Sequence, residues 1–275
     1  MGGLRPTAAA TVPPAVARQR NAILITLLGL AGAGWIVFLN EANQPTGMAM
    51  HMDMGMAMDI DMDRALGPDL TMGRSWPLFL AMWVAMMVAM MFPAAAPMVV
   101  MYGRMRRSDP ASVALFTGSY IVLWFAFGVL AYLLSAMVES AASGSEWVAT
   151  NWGRVGGVLL ILAGLYQLSP LKDICLRQCR SPLSFVMTRW RNGRGGAVRM
   201  GVAHGLYCMG CCWLLFLILI PLGVMNVAAM VAVALVVFAE KVLPHGRGVG
   251  IAAAVVLIAL GGAVSAHPSF LPTVA

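Results

Sequence analysis

Methionine and cysteine are the side chains of this sequence best suited to chemistry. Seven methionines fall between Met48 and Met62, with a histidine and three aspartates among them. A thioether sulfur is a soft ligand that favours Cu(I), whereas imidazole suits Cu(II) and carboxylate suits harder ions. We therefore interpret this run as a segment that captures copper, and its candidate ligands are Met50, His51, Met52 and Met54. The alternative interpretation is a low-complexity linker.

A second group of methionines precedes Pro93. A spacing of three to four residues places its members on adjacent stripes of one helix. One stripe holds Met82, Met86 and Met90, and the other holds Met87 and Met91. These sulfurs form a ladder of soft ligands, or they fill gaps in helix packing, which is the ordinary role of methionine.

Three cysteines and a histidine lie close together further along the chain. The spacings of four, three and four residues put an imidazole and two thiols on one helical face, from the set His204, Cys208, Cys211 and Cys212. An ionisable group inside a membrane span indicates a functional site by default. Thiolate and imidazole bind Cu(I) or Zn(II), so both metals are candidates. The alternatives are buried cysteines that act as small apolar groups and a histidine that bonds a carbonyl.

The remaining two cysteines, Cys175 and Cys179, are four residues apart in a basic segment. If that segment is helical, both thiols lie on one face. Neighbouring cations favour the thiolate form. The spacing suits a soft-metal hand-off point or a redox pair on the cytoplasmic side, and the alternative is that both cysteines are incidental.

The composition sets the architecture that positions these groups. The chain is 60% hydrophobic and 11% charged, whereas soluble domains average about 25% charged residues. Long uncharged stretches predict an all-α, polytopic transmembrane bundle of about seven spans. The predicted spans are 21–39, 76–102, 113–137, 153–169, 202–222, 226–243 and 249–266. Glu240 and Lys241, at the inner end of the sixth span, are interpreted as a local ion pair or a snorkelling anchor. The alternative is a buried Glu240 that acts as a cation or proton site.

Basic residues predict the orientation of these spans. With the N-terminus inside, all but three of the 18 Lys and Arg residues fall in cytoplasmic segments, as the positive-inside rule requires. The expected organisation has a cytoplasmic tail (1–20), a first helix (21–39) and an external Met/Asp/His-rich loop (40–75). A six-span metal-binding domain (76–266) and an external C-terminal tail (267–275) follow. We expect this protein in the inner membrane of a bacterium.

Four ordered motifs carry a family resemblance. They are Met82-Trp-x2-Met86-Met87-x2-Met90-Met91-x-Pro93, Lys172-x2-Cys175-Leu-x2-Cys179-Arg-x-Pro182, Gly201-x3-Gly205-x2-Cys208-x-Gly210-Cys211-Cys212-Trp213, and Glu240-Lys241 before Pro244-x-Gly246. The chain resembles, over roughly 75–265, a bacterial family of uncharacterised integral membrane proteins that are predicted to bind metal. The resemblance implies metal binding and leaves the metal and the activity open.

The leading hypothesis is a copper-handling protein without enzymatic activity. Copper collected outside would meet a site where the second and fifth spans pack, built from Met86, Met90, Cys208, Cys212 and His204. Cys175 and Cys179 would then receive or release it inside. The expected partners are the lipid bilayer and a copper chaperone or partner membrane subunit, and nucleic acid is not expected.

Two other classes of protein stay open. One is a membrane redox enzyme that uses a thiol pair or a bound copper centre. The other is an accessory subunit that delivers metal to a partner enzyme. The sequence contains no P-loop, nucleotide fingerprint or HExxH zinc helix.

Overall fold

All regular structure in the described part of the chain is helical. The computed structural model describes residues 14–42, 70–71, 75–106, 109–223 and 226–267. The helices are α1 (Pro14–Ala42), α2 (Trp76–Met105), α3 (Pro110–Gly144), α4 (Glu146–Gln167), α5 (Pro170–Arg180), α6 (Pro182–Arg189), α7 (Gly193–Leu217), α8 (Leu219–Leu222), α9 (Val227–Val242) and α10 (Gly246–Ala266). The predicted all-α class is confirmed.

Five of the described helical segments are long and apolar enough to cross a membrane. They are Val16–Asn40, Trp76–Met105, Pro110–Gly144, Gly193–Leu222 and Gly246–Ala266. A sixth is reached only if α4 and α5, which meet at a bend of 63°, form one broken span. Helix α9 has 16 residues and is about 24 Å long, which is short for a span. The count of seven spans therefore stays a prediction.

Glycine brings α7 close to α3. A Cβ added at Gly201 would collide with the Phe116 carbonyl and the Ser119 hydroxyl, and one at Gly205 would lie 2.9 Å from the Leu123 side chain. Without side chains at these two positions the helix backbones can approach closely. This contact holds the cysteine-bearing part of α7 against α3.

We expect Gly201→Ala to destabilise the protein by about 1–3 kcal/mol, because an extra methyl group in a tight core forces the helices apart. Thermal unfolding in detergent measures the effect. The matched control is Gly118→Ala on α3, where an added Cβ meets nothing within 4 Å. Equal stability of the two variants would contradict the close packing of α3 and α7.

A capped N-terminus fixes the start of α3. Asp109 accepts hydrogen bonds from the Ser112 backbone amide (3.1 Å) and the Ser112 hydroxyl (2.5 Å). These bonds stabilise the carboxylate and hold the pKa of Asp109 below its usual value. The cap sets where α3 begins and so fixes the register of the helix that carries Tyr120.

The far end of α3 holds the chain segment that precedes α2. The Glu139 carboxylate accepts hydrogen bonds from the Leu70 amide (2.6 Å), the Thr71 amide (2.5 Å) and the Thr71 hydroxyl (2.9 Å). Leu70 and Thr71 are buried there. The C-terminal part of the Met/Asp/His-rich segment is thus fastened to the bundle through one carboxylate.

Candidate metal centre

Helix α7 carries three thiols on one buried face. Cys208, Cys211 and Cys212 are each 1% exposed. The Cys211 and Cys212 thiols both donate to the Cys208 carbonyl, at 3.0 and 2.8 Å. The spacing of three and four residues accounts for the shared face, and the interior position agrees with the sequence-based expectation.

A fourth thiol reaches this group from α5. Cys179 is half-buried, and its side chain lies near those of Cys208 and Cys211. The sequence placed Cys175 and Cys179 together at a separate inner hand-off point. Cys179 lies near the α7 thiols, and the Cys175 sulfur lies beside Gly210 of the same helix. The segment that carries both cysteines is helical, as α5, and their role in handing off metal stays a prediction.

Helix α2 adds a thioether. The Met91 side chain is fully buried, and its Sδ lies 4.0 Å from Cys208 Sγ. Met91, Cys179, Cys208, Cys211 and Cys212 together form what we call the sulfur cluster. Three helices distant in sequence contribute to it, so the tertiary fold assembles the cluster.

Two polar side chains complete the surroundings of Cys208. The Tyr120 hydroxyl on α3 lies 3.1 Å from Cys208 Sγ. The Lys241 ammonium on α9 lies 3.0 Å from Cys208 Sγ and 3.8 Å from Met91 Sδ. A buried cation therefore contacts both the thiol and the thioether of the cluster.

The residue before Lys241 faces a different neighbour. Glu240 forms a buried ion pair with Lys172, with Nζ 2.6 Å from Oε1 and 2.7 Å from Oε2, and it also accepts a bond from Gln167 at 3.2 Å. The expectation of a local Glu240–Lys241 pair or a snorkelling anchor is wrong. Consecutive helical residues point about 100° apart, so the two charges meet different helices.

A cavity of about 230 Å³ opens beside this ion pair. Its lining includes Gln167, Lys172, Glu240 and Gly250, with Asp173 and Arg247 at its edge. Arg247 and Asp173 form an exposed ion pair of 3.4 Å.

His204 lies one turn before Cys208, inside an aromatic cage. The rings of Phe116 and Tyr120 stack on it at 5.9 and 5.5 Å, and Phe185 meets it edge-on at 5.7 Å. Both imidazole nitrogens are buried without a hydrogen-bond partner among the described residues. The predicted ligand role of His204 stays a prediction, since its contacts are with aromatic rings.

The other predicted methionines are buried in the core of the bundle. Met82, Met86, Met87 and Met90 are 8%, 1%, 0% and 2% exposed. The Met91 sulfur contacts Cys208. The leading hypothesis placed Met86 and Met90 at the site, and their role as ligands stays a prediction. The remaining candidate ligands, Met50, His51, Met52 and Met54, lie outside the described residues.

The sulfur cluster has the donor chemistry of a Cu(I) site, because thiolates and thioethers select soft cations. Among the described residues, no three or more His, Cys, Asp or Glu side chains are positioned so that they could hold one metal ion. The thiols of Cys211 and Cys212 are turned toward a carbonyl. To coordinate metal, these two thiols must exchange those hydrogen bonds for metal bonds.

Sequence reasoning missed the contact of Tyr120 with Cys208, the Lys172–Glu240 ion pair and the contact of Lys241 with Cys208. Adjacent opposite charges within an apolar helix were the available signal. Two consecutive charged residues of a helix point in different directions, so each buried charge requires its own polar or charged partner. No signal in the sequence pointed to Tyr120, whose contact with Cys208 depends on how α3 packs on α7.

The apolar helices and the buried sulfurs define an all-helical protein that is compatible with a membrane and carries a thiol- and thioether-rich interior. The chain belongs to the copper chaperone family PpoB2, whose family model matches residues 80–264. No curated protein matches the chain, and no solved structure matches it. The family match supports copper handling as the general function and copper as the associated metal.

Proposed function

We propose that this protein binds Cu(I) at the sulfur cluster, within the inner membrane of a bacterium, and delivers it to a partner protein. The observation that carries the proposal is the meeting of Met91 Sδ and Cys208 Sγ, 4.0 Å apart, from two helices. A thiol and a thioether that converge in a buried site favour a soft, monovalent cation. Delivery to a partner follows the description of the family as copper chaperones.

The proposed arrangement in the membrane keeps seven spans, with the N-terminus inside and the C-terminus outside. The asymmetry of basic residues supports it, and so do the long apolar helices. Helix α5 follows α4 at a bend of 63° and brings Cys179 to α7. In this arrangement the Met48–Met62 run lies outside and collects copper, with Met50, His51, Met52 and Met54 among its ligands.

Cys208 is the central ligand in this proposal. It is the cysteine that contacts Met91, Tyr120 and Lys241. Cys179 and Cys211 are within range to supply a second thiolate. Met91 supplies a neutral third donor, which holds copper less firmly than a thiolate and suits an ion that must later be released.

Met91→Leu tests this assignment, because leucine keeps the volume and removes the sulfur. We expect Cu(I) affinity to fall by about ten- to a hundredfold, the loss that corresponds to one donor worth about 1.4–2.8 kcal/mol. Competition with a chromophoric Cu(I) chelator in detergent measures the affinity. X-ray absorption of the Cu(I)-loaded protein reports whether the neighbours of copper are sulfur.

Met98→Leu is the matched control, since Met98 is equally buried on the same helix. Its Cu(I) affinity should equal that of the unchanged protein. Equal losses in the two variants would contradict the assignment of Met91, and an unchanged protein that binds no Cu(I) would overturn the proposed function.

The second candidate is a thiol redox protein, and the mutual contacts of Cys179, Cys208 and Cys211 favour it. All five cysteines are free thiols. Copper binding leaves the number of free thiols unchanged once the metal is removed, whereas a redox cycle converts two thiols into a disulfide. Thiol titration of the unfolded protein, before and after separate incubations with Cu(I) and with a two-electron oxidant such as a quinone, separates the two functions.

A further inference from the structure

Helix α6 has three sides of different chemistry. Consecutive residues of a helix are about 100° apart, so Phe185 lies on one side, where it is buried in the bundle. Leu183 and Met187 share a second side, and they are 53% and 67% exposed. The exposed polar residues Ser184 and Thr188 share a third side. Outside the bundle, α6 therefore presents one apolar side and one polar side.

Helix α5 repeats this arrangement. Leu176 lies on its buried side, whereas Leu171 and Ile174 are 64% and 52% exposed. The charged residues Asp173 and Arg177 occupy the remaining side. Exposed apolar residues that are scattered singly are ordinary, but here two of them share one side of each helix. A helix with an apolar side and a charged side is suited to the boundary between acyl chains and water.

The exposed apolar side of α5 continues a stripe on α4. Val158, Leu162, Leu165 and Leu168 are exposed at intervals of four, three and three residues, and Leu171 follows after three more. In the proposed membrane arrangement, the stripe on α4 faces lipid and ends at the inner surface of the membrane. Helix α5 then begins where the acyl chains meet the headgroups, and the same lipid covers its apolar side.

The charge of this region is strongly positive. Residues 174–199 include no Asp or Glu. They include five exposed arginines, which are Arg177, Arg189, Arg191, Arg194 and Arg199. Nearby, Asp173 pairs with Arg247 and Asp109 lies near Arg194, so two carboxylates leave most of the positive charge uncompensated. Clustered arginine at an inner membrane surface attracts anionic headgroups.

We propose that α5 and α6 lie in the interface of the inner leaflet and bind anionic phospholipid, an inference that rests on the membrane location in the proposed function. The apolar side of each helix enters the acyl-chain region, and the arginines contact headgroup phosphates. The polar sides face water. An acidic protein is the other candidate for this surface. The unbroken apolar stripe from α4 to α5 favours lipid, because one medium then covers both helices.

Tryptophan fluorescence locates the two exposed sides of α6. Met187→Trp places a reporter on the apolar side, and Ser184→Trp is the matched control on the polar side. Each full-length variant is reconstituted in nanodiscs of phosphatidylcholine and phosphatidylglycerol with brominated acyl chains, since bromine quenches tryptophan on contact. The emission of the unchanged protein, which has eight tryptophans, is subtracted.

We expect bromine to quench the added emission of Met187→Trp about twofold or more beyond that of Ser184→Trp, and aqueous acrylamide to give the reverse order. Equal quenching of the two variants by bromine, or stronger quenching of Met187→Trp by acrylamide, would overturn the interfacial location and favour a protein-docking surface in water. Leu183→Trp replaces Met187→Trp under the same expectation if that variant does not fold.

Charge variants test the headgroup. Arg177→Gln/Arg191→Gln/Arg199→Gln removes three exposed cations, and Arg177→Lys/Arg191→Lys/Arg199→Lys keeps them. Native mass spectrometry in detergent compares binding of phosphatidylglycerol with binding of phosphatidylcholine. We expect the unchanged protein to prefer phosphatidylglycerol, and the glutamine variant to lose about tenfold or more of that preference, since each basic residue near an anionic surface contributes about fivefold.

The anionic assignment would be overturned by an unchanged protein that shows no preference for phosphatidylglycerol. A glutamine variant that keeps the preference, or a lysine variant that loses it as completely as the glutamine variant, would also overturn it.

Failure of this inference is distinguishable from failure of the proposed function. If the protein enters the nanodiscs and either test contradicts the expectation, the membrane location stands and the interfacial role of α5 and α6 falls. If the protein does not enter the nanodiscs, the membrane location fails and this inference fails with it. Cu(I) affinity, measured by chelator competition, reports on the sulfur cluster separately.

Discussion

Cys208→Ser should lower the affinity of the protein for Cu(I) by about a hundredfold or more, because a hard, neutral hydroxyl replaces the central soft ligand. Cys208 contacts the thioether, the hydroxyl and the ammonium around the cluster. Its side chain is 1% exposed, so little solvent is available to replace the lost ligand. Chelator competition and the copper content of purified protein measure the loss.

Cys175→Ser is the matched control for this substitution. Cys175 lies on α5 beside Gly210 and is half-buried. We expect it to retain Cu(I) affinity within about threefold, a difference smaller than 1.4 kcal/mol. Gel filtration and thermal unfolding establish that both variants are folded. Tight Cu(I) binding by folded Cys208→Ser would remove the sulfur cluster from the proposal.

Lys172→Met should destabilise the protein by about 3–5 kcal/mol, because it leaves the Glu240 carboxylate buried without its cation. The Lys172 and Glu240 side chains are each 2% exposed. Gln167, at 3.2 Å, supplies a single neutral hydrogen bond. Denaturant or thermal unfolding in detergent measures the change in the free energy of unfolding.

The double variant Lys172→Met/Glu240→Gln should recover most of this stability, because removing both charges leaves no uncompensated ion. Arg247→Met is the exposed counterpart, since it breaks a pair whose arginine side chain is 78% exposed. Surface pairs contribute about 0–1 kcal/mol. A Lys172→Met variant that is no less stable than Arg247→Met would contradict the buried ion pair.

The sequence could predict those parts of the site that depend on the spacing of residues along a single helix. The spacing of Cys208, Cys211 and Cys212 fixes a common face of any helix, and α7 shows that face buried. The methionine stripes of α2 likewise face the interior. Which methionine meets Cys208 depends on the rotation of α2 against α7, which spacing within one helix does not determine. Met91 was one of the five methionine candidates of this helix, and its contact with Cys208 emerged only from the packed structure.

The parts of the site that the sequence could not predict depend on contacts between segments that are far apart in the chain. Cys179 joins the α7 thiols because α5, which follows α4 at a bend of 63°, packs against α7. The basic residues of that segment predicted a cytoplasmic location. Lys241 and Tyr120 reach Cys208 from α9 and α3. Each of these contacts depends on helix crossing, so composition and spacing could predict the ligand types and not the complete set.

The Glu139 anchor limits how far the proposed capture segment can travel. Met62 lies eight residues before Leu70, and eight extended residues reach about 30 Å at most. If the run binds copper as proposed, an ion held at its Met62 end is confined to a small volume around the anchor. Its effective concentration there would be of millimolar order, so hand-over to the bundle would be an intramolecular step whose rate does not depend on the concentration of free copper.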